Sequence, residues 1–253
     1  MRRLVALACL CFLSACSAER EPVDAAIASA REWMLGQENC PDAGSLHAVA
    51  EAAALLGDSA LRDWAHVKAA QAREDPFSAL VTGARLQWQE SKAERGHARM
   101  QQHLLASLSA ATDATAAQDL ERFLAEELHG YMLTHQLYAA HWAQERGWQP
   151  SEPARVRIQS LVGKLAAEAA MARAFSDLLV EQLQLLERFG ESTDEALLKT
   201  ILAAQSREGS FRDATEWNLL YDGEAVAMQS HPVHTTAQAL LLCARVKVRT
   251  GSR

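Results

Sequence analysis

The chain is expected to be all-α, and three observations carry that reading. It is rich in alanine, leucine and glutamine, which lose little freedom on entering a helix, and β-branched runs are few. Turn signals recur roughly every fifteen to twenty residues, and the apolar residues between them fall at helical spacing. The 253 residues are enough to bury one substantial core.

About ten helices follow in order. The first, 24–36, stops at Gly36, and the next, 45–57, runs from Gly44 to Gly57. Ser59 opens 59–74, which Asp75-Pro76 ends, and Gly96 divides 77–93 from 97–111. From Thr112-Asp113 to Gly147 the pattern supports 115–146, with a break near Glu127. A helix at 153–171 follows Pro153. Ser176-Asp177 starts 176–189, Thr193-Asp194-Glu195 starts 193–205, and Pro232 precedes 233–247. Strands are not expected. The span from Ser206 to His231 lacks helical periodicity, and so long a loop in a compact domain is either functional or a misread element.

The N-terminus has a different character. Arg2 and Arg3 precede a short apolar run, Leu4 to Leu13, too short to cross a membrane and ordered like a secretory signal. Leu13-Ser14-Ala15-Cys16 resembles the lipobox of bacterial lipoproteins, where cleavage precedes a lipidated cysteine; the alternative is an ordinary signal cut slightly later. The resemblance implies a signal peptide at 1–15, a palmitate-bearing Cys16, a linker over 16–22 and one domain over 23–253. It implies a lipid-anchored protein on the periplasmic side of a bacterial envelope, with Ser17 favouring the outer membrane. Without residues 1–15 the balance is 23 Lys and Arg against 32 Asp and Glu, or −9, which disfavours nucleic acid as a partner. Of the five cysteines only Cys40 and Cys243 remain free of the signal and the lipid. They are a candidate disulfide in an oxidising compartment, unless Cys243 is a buried small hydrophobe.

Many short helices can make a bundle, a solenoid or a closed ring. No strict repeat is visible, which disfavours an open tetratricopeptide-type array. "ILAAQSREGSFRD" followed by "HTTAQALLLC" resembles a repeat of the terpene cyclase and prenyltransferase class of α/α toroids, through Gln205, Gly209, Ser210, Phe211 and His234-Thr235-Thr236. "LHGYMLTHQLYAAHWAQERGW" resembles an inner helix of the same class, so the likeness covers about residues 126–247. It implies an α/α toroid, a ring of helical hairpins about a central pocket, far more than an activity. Neither an Asp-x-Asp-Asp run nor an Asp-Asp-x-x-Asp run is present, so prenyl and triterpene chemistry are not expected.

If inner helices ring a pocket, helical faces decide which residues reach it. Leu128, Tyr131, His135, Tyr138 and Trp142 share one stripe, which on such spacing is more often core than pocket. On 176–189, Asp177, Glu181, Gln184 and Arg188 oppose Leu179, Leu183 and Leu186; this polar face is either solvated or turned to the pocket. On 233–247, His234, Gln238, Leu241 and Arg245 align, while Cys243 points the other way. Pro232 holds His231 out of a helical pair with His234. His135, Asp177 and His234 therefore form the candidate site, with Glu181 and Gln184 behind them. Two imidazoles and a carboxylate suit a divalent metal such as zinc with an open position, or acid–base catalysis without one. His47 and Glu51, spaced i,i+4, read as helix support.

Three functional classes follow. The first is an enzyme, a metal-assisted or acid–base lyase, hydrolase or cyclase acting on a small molecule. The second is a non-catalytic scaffold for a peptide or glycan. The third, a carbohydrate-active barrel, needs a carboxylate pair that does not stand out, although Trp142, Trp148 and Trp217 could stack on sugars.

Overall fold

Eleven α-helices make up most of the described chain, in a computed structural model that describes residues 21–40, 42–72, 75–84, 96–213, 216–221, 224–229 and 231–251. The expected signal peptide and Cys16 lie outside the described residues. Helix α1 covers 21–35, followed by α2 (Ala43–Leu56), α3 (Ser59–Gln71), a 3-10 turn (Pro76–Ser78) and α4 (Ala79–Thr82). Then come α5 (Gly96–Ser109), α6 (Ala114–Ala125), α7 (Tyr131–Glu145), α8 (Glu152–Ala170), α9 (Asp177–Arg188), α10 (Glu195–Ala203) and α11 (Pro232–Gly251). No described helix is long and apolar enough to cross a membrane.

Side-chain caps set most of the starts. Asp42, Asp58, Asp113, Ser151, Ser176 and Asp194 each accept a hydrogen bond from a backbone N–H in the first turn of the helix that follows. The break expected near Glu127 separates α6 from α7, where Gly130 adopts φ +55°. The helix expected over 77–93 is represented by the 3-10 turn and the single turn of α4, with 85–95 outside the described residues.

The span from Ser206 to His231 is a correction. It carries an antiparallel hairpin, β1 (Glu216–Tyr221) and β2 (Glu224–Gln229), in register from Glu216 opposite Gln229 to Tyr221 opposite Glu224. Asp222-Gly223, a strong two-residue hairpin signal, stands between the strands in the sequence. Trp217 lies on β1 opposite Met228.

Helix α11 packs on α2 and α9, α5 on α6 and α7, and α7 on α8 and α9, while α3 lies against α2. Phe123, Leu120, Leu133, Leu137, Leu165 and Leu179 are buried between these layers, each worth roughly 1.5–3 kcal/mol. The turn after α10 ties the first and last described helices together. Gln205 donates to the carbonyls of Ala26 and Gly209, both at 3.0 Å, and the Phe211 N–H donates to Thr236 Oγ1 at 2.9 Å. Gly209 has φ +96°, and a Cβ there would lie 2.2 Å from the Ser29 carbonyl oxygen. The residues quoted for the toroid likeness thus fasten α1 and α11 to this turn.

The candidate cysteine bridge is not formed. Cys40 and Cys243 are free thiols, because Cys243 is buried in α11 while the Cys40 Sγ turns to the Asp42 carbonyl at 3.5 Å. Burial pushes the Cys243 thiol up to about 12.

Candidate functional site

A cavity of about 400 Å³ opens among α2, α5, α7, α9 and α11 and the 3-10 turn. All three helical faces weighed for a pocket contribute to it. His135, Tyr138 and Trp142 come from α7, Glu181 and Arg188 from α9, and His234, Gln238 and Leu241 from α11. The polar face of α9 is therefore turned inward: Asp177, Glu181 and Gln184 are buried, and the Arg188 side chain is 2% exposed.

At one end His234 sits among carboxylates. Its Nε2 lies 3.0 Å from Glu181 Oε1 and 3.7 Å from Asp177 Oδ2. Its Nδ1 lies 3.2 Å from Ser45 Oγ and 3.5 Å from Asp42 Oδ2. Thr134 donates to Glu181 Oε2 at 2.7 Å, and the Tyr131 hydroxyl donates to Asp177 Oδ2 at 3.4 Å. Asp177 is fixed at the first position of α9 by the Ser176 cap and by its own N–H, which donates to Asp213 Oδ2 at 2.8 Å. Its Oδ1 is buried without a hydrogen-bond partner among the described residues.

The electrostatics follow from that crowding. Burial opposes charge on His234, but Asp177, Asp42 and Glu181 outweigh it and hold the imidazole well above its ordinary pKa. Burial raises the Asp177 carboxyl against the pull of His234, and Glu181 pushes it further up. Burial also resists ionisation of Glu181, yet the hydrogen bond and charge of His234 win and lower it. At Asp42, burial is likewise outweighed by His234 and the Ser45 donors, leaving the carboxyl at about 2.

Asp177, Glu181 and His234 can each turn one ligand atom inward, all within 4.8 Å of one another. Two ligands on a tetrahedral ion at ordinary zinc distances stand about 3.4 Å apart; the observed 3.0 and 3.7 Å straddle that value. Ser45 and Asp42 on the opposite ring nitrogen supply the outer carboxylate–histidine contact that orients a metal-bound imidazole. Three carboxylates around one imidazole also leave negative charge that a divalent cation neutralises. The donor set therefore fits a metal.

Of the three residues picked from sequence, Asp177 and His234 converge and His135 does not join them. Its Nδ1 lies 2.5 Å from the Tyr131 carbonyl, one turn back on α7, which leaves the ring on the cavity wall. Glu181, expected only in support, takes its place. Gln184, named as a supporting residue, instead accepts from the Tyr138 hydroxyl at 3.0 Å. Asp42 and Ser45 escaped sequence reasoning; their visible signal, Asp42 before Ala43-Gly44-Ser45, reads only as a helix cap.

A second cluster lies further along the same helices, and its His47 and Arg188 line the cavity. Glu51 receives both Arg188 and Arg245, and His47 Nε2 lies 3.8 Å from Glu51 and from Glu145. Glu51, His141 and Glu145 also lie within ligand range of one another, but two guanidinium groups on Glu51 oppose a cation there.

Compared with models of protein families, with curated proteins and with solved structures, the chain finds no match in any of the three.

Proposed function

We propose that this is a lipid-anchored envelope protein whose pocket holds a divalent metal, zinc or a similar ion, for metal-assisted acid–base chemistry on a small molecule. The observation that carries the reading is the placement of His234. Its Nε2 faces two buried carboxylates while its Nδ1 faces Ser45 and Asp42. Asp177, Glu181 and His234 would hold the ion, and a bound ion would lower the pKa of a water molecule towards neutrality. Glu181 is steered by Thr134, Asp177 by Tyr131, and His135 stands on the wall where a substrate proton could be exchanged. The class of reaction this favours is hydrolysis or elimination.

The same reading takes the fold as an α/α toroid. In support, α2, α5, α7, α9 and α11 line one cavity while α3, α6 and α8 pack behind them. The lipobox-like Cys16 supports placement in the envelope.

Metal analysis after dialysis against zinc tests the site. About one ion per chain is expected in the wild type and in His135→Ala, and none in His234→Ala or Glu181→Ala. Equal zinc in all four proteins would remove the proposal.

A further inference from the structure

The cavity carries donors in search of an acceptor. The Arg188 side chain is 2% exposed and lines the cavity, yet its Nε and Nη1 have no acceptor among the described residues. Its one charged partner, Glu51, is shared with Arg245. Trp142, which also lines the cavity, has a buried Nε1 that is likewise without an acceptor among the described residues. A buried guanidinium with unmet donors is costly, and neither Arg188 nor Trp142 faces bulk water.

We propose that Arg188 and Trp142 bind the carboxylate of a small organic monoanion whose apolar body fills the cavity. The charge points to a monoanion: one carboxylate, Glu51, stands between two guanidiniums, so a single positive charge is left to match. Glu145 makes no ion pair with either guanidinium among the described residues: its partners are His141 at 2.9 Å and His47 at 3.8 Å, and its side chain is 42% exposed. The walls supply the rest of the specificity. Phe77, Leu104, Leu105, Leu241 and the Trp142 ring are apolar, and about 400 Å³ suits a ligand of modest size. Arg188 is the specificity-determining residue, because the planar guanidinium offers several donors to one carboxylate. The site stands apart from Asp177, Glu181 and His234 and does not require a metal.

Isothermal titration of the full chain in EDTA tests this with 3-phenylpropionate, its neutral alcohol 3-phenylpropanol, and inorganic phosphate. The acid is expected to bind the wild type about tenfold or more tighter than the alcohol, and phosphate to bind more weakly than the acid. In Arg188→Met the advantage of acid over alcohol should vanish. Equal binding of acid and alcohol by the wild type overturns the proposal without reliance on any variant. So does an advantage that survives in Arg188→Met, tighter binding of phosphate, or no binding of the acid. Acid binding that appears only when zinc replaces EDTA would put the carboxylate on the metal, and would overturn this proposal while sparing the metal site.

Discussion

Replacing Asp177 with asparagine separates a site built for a cation from a structural ion pair. The carboxylate gains from His234 Nε2 at 3.7 Å, an attraction of about 4.5 kcal/mol at an effective dielectric near 20. It is repelled by Glu181, whose ligand atom lies within 4.8 Å, at a cost of about 3.5 kcal/mol or more on the same scale. These nearly offset. An amide gives up roughly 0.3–1 kcal/mol of favourable interaction with the α9 N-terminus. It recovers about 1–3 kcal/mol by not burying an ionised oxygen that has no partner. Metal-free Asp177→Asn should therefore be as stable as the wild type or about 1 kcal/mol more so, a rise of up to roughly 4 °C in Tm. A structural pair broken at one partner would instead cost about 3–5 kcal/mol. Urea unfolding followed by circular dichroism, in EDTA at pH 8, reads the difference. Zinc at 100 times its Kd should add about 2.7 kcal/mol to the wild type and nothing to the variant. A loss above about 2 kcal/mol in the metal-free variant would refute the reasoning.

Three further outcomes are expected. The raised His234 pKa contributes stability that is complete below the unfolded value of 6.5 and is lost as pH rises through the folded value. The Tm of metal-free wild type should accordingly fall from pH 6.5 upward, and the slope should flatten in His234→Gln; parallel slopes would contradict the assigned partners. Gly209→Ala forces a methyl into the Ser29 backbone at a φ of +96°, and should cost about 2–4 kcal/mol in denaturant unfolding. Gly57→Ala, where a Cβ meets nothing within 4 Å, should cost about 1 kcal/mol; equal costs would show that the α1 contact is slack. Cys16→Ala should release the protein from the membrane fraction and abolish palmitate labelling, and unchanged fractionation would exclude lipidation at that cysteine.

Much of the helical layout was legible because it is written in local chemistry. Aspartate and serine caps, Gly57 and the break before Gly130 are all short-range signals. The hairpin was missed because its one local cue, the dipeptide Asp222-Gly223, stands alone in a span without helical periodicity, inside a chain otherwise rich in helix formers. Faces were legible too: the 3.6-residue period put Asp177, Glu181 and Arg188 together, and His234 with Gln238, Leu241 and Arg245. What the period cannot supply is how far one helix slides along its neighbour. That slide brought Glu181 to His234 and left His135 on the cavity wall, turned to the Tyr131 carbonyl of its own helix. Asp42 and Glu51 were hidden for a related reason, since α2 meets α11 across almost the whole length of the chain. His47 and Glu51, read as helix support, join a buried cluster only because Arg188 and Arg245 arrive from two distant segments.

X-ray absorption at the zinc edge of the loaded wild-type protein tests the metal centre most directly. The arrangement predicts a shell of nitrogen and oxygen donors with one imidazole, from His234, and carboxylate oxygens from Asp177 and Glu181. A shell containing sulfur from Cys40, or two imidazoles, would contradict it.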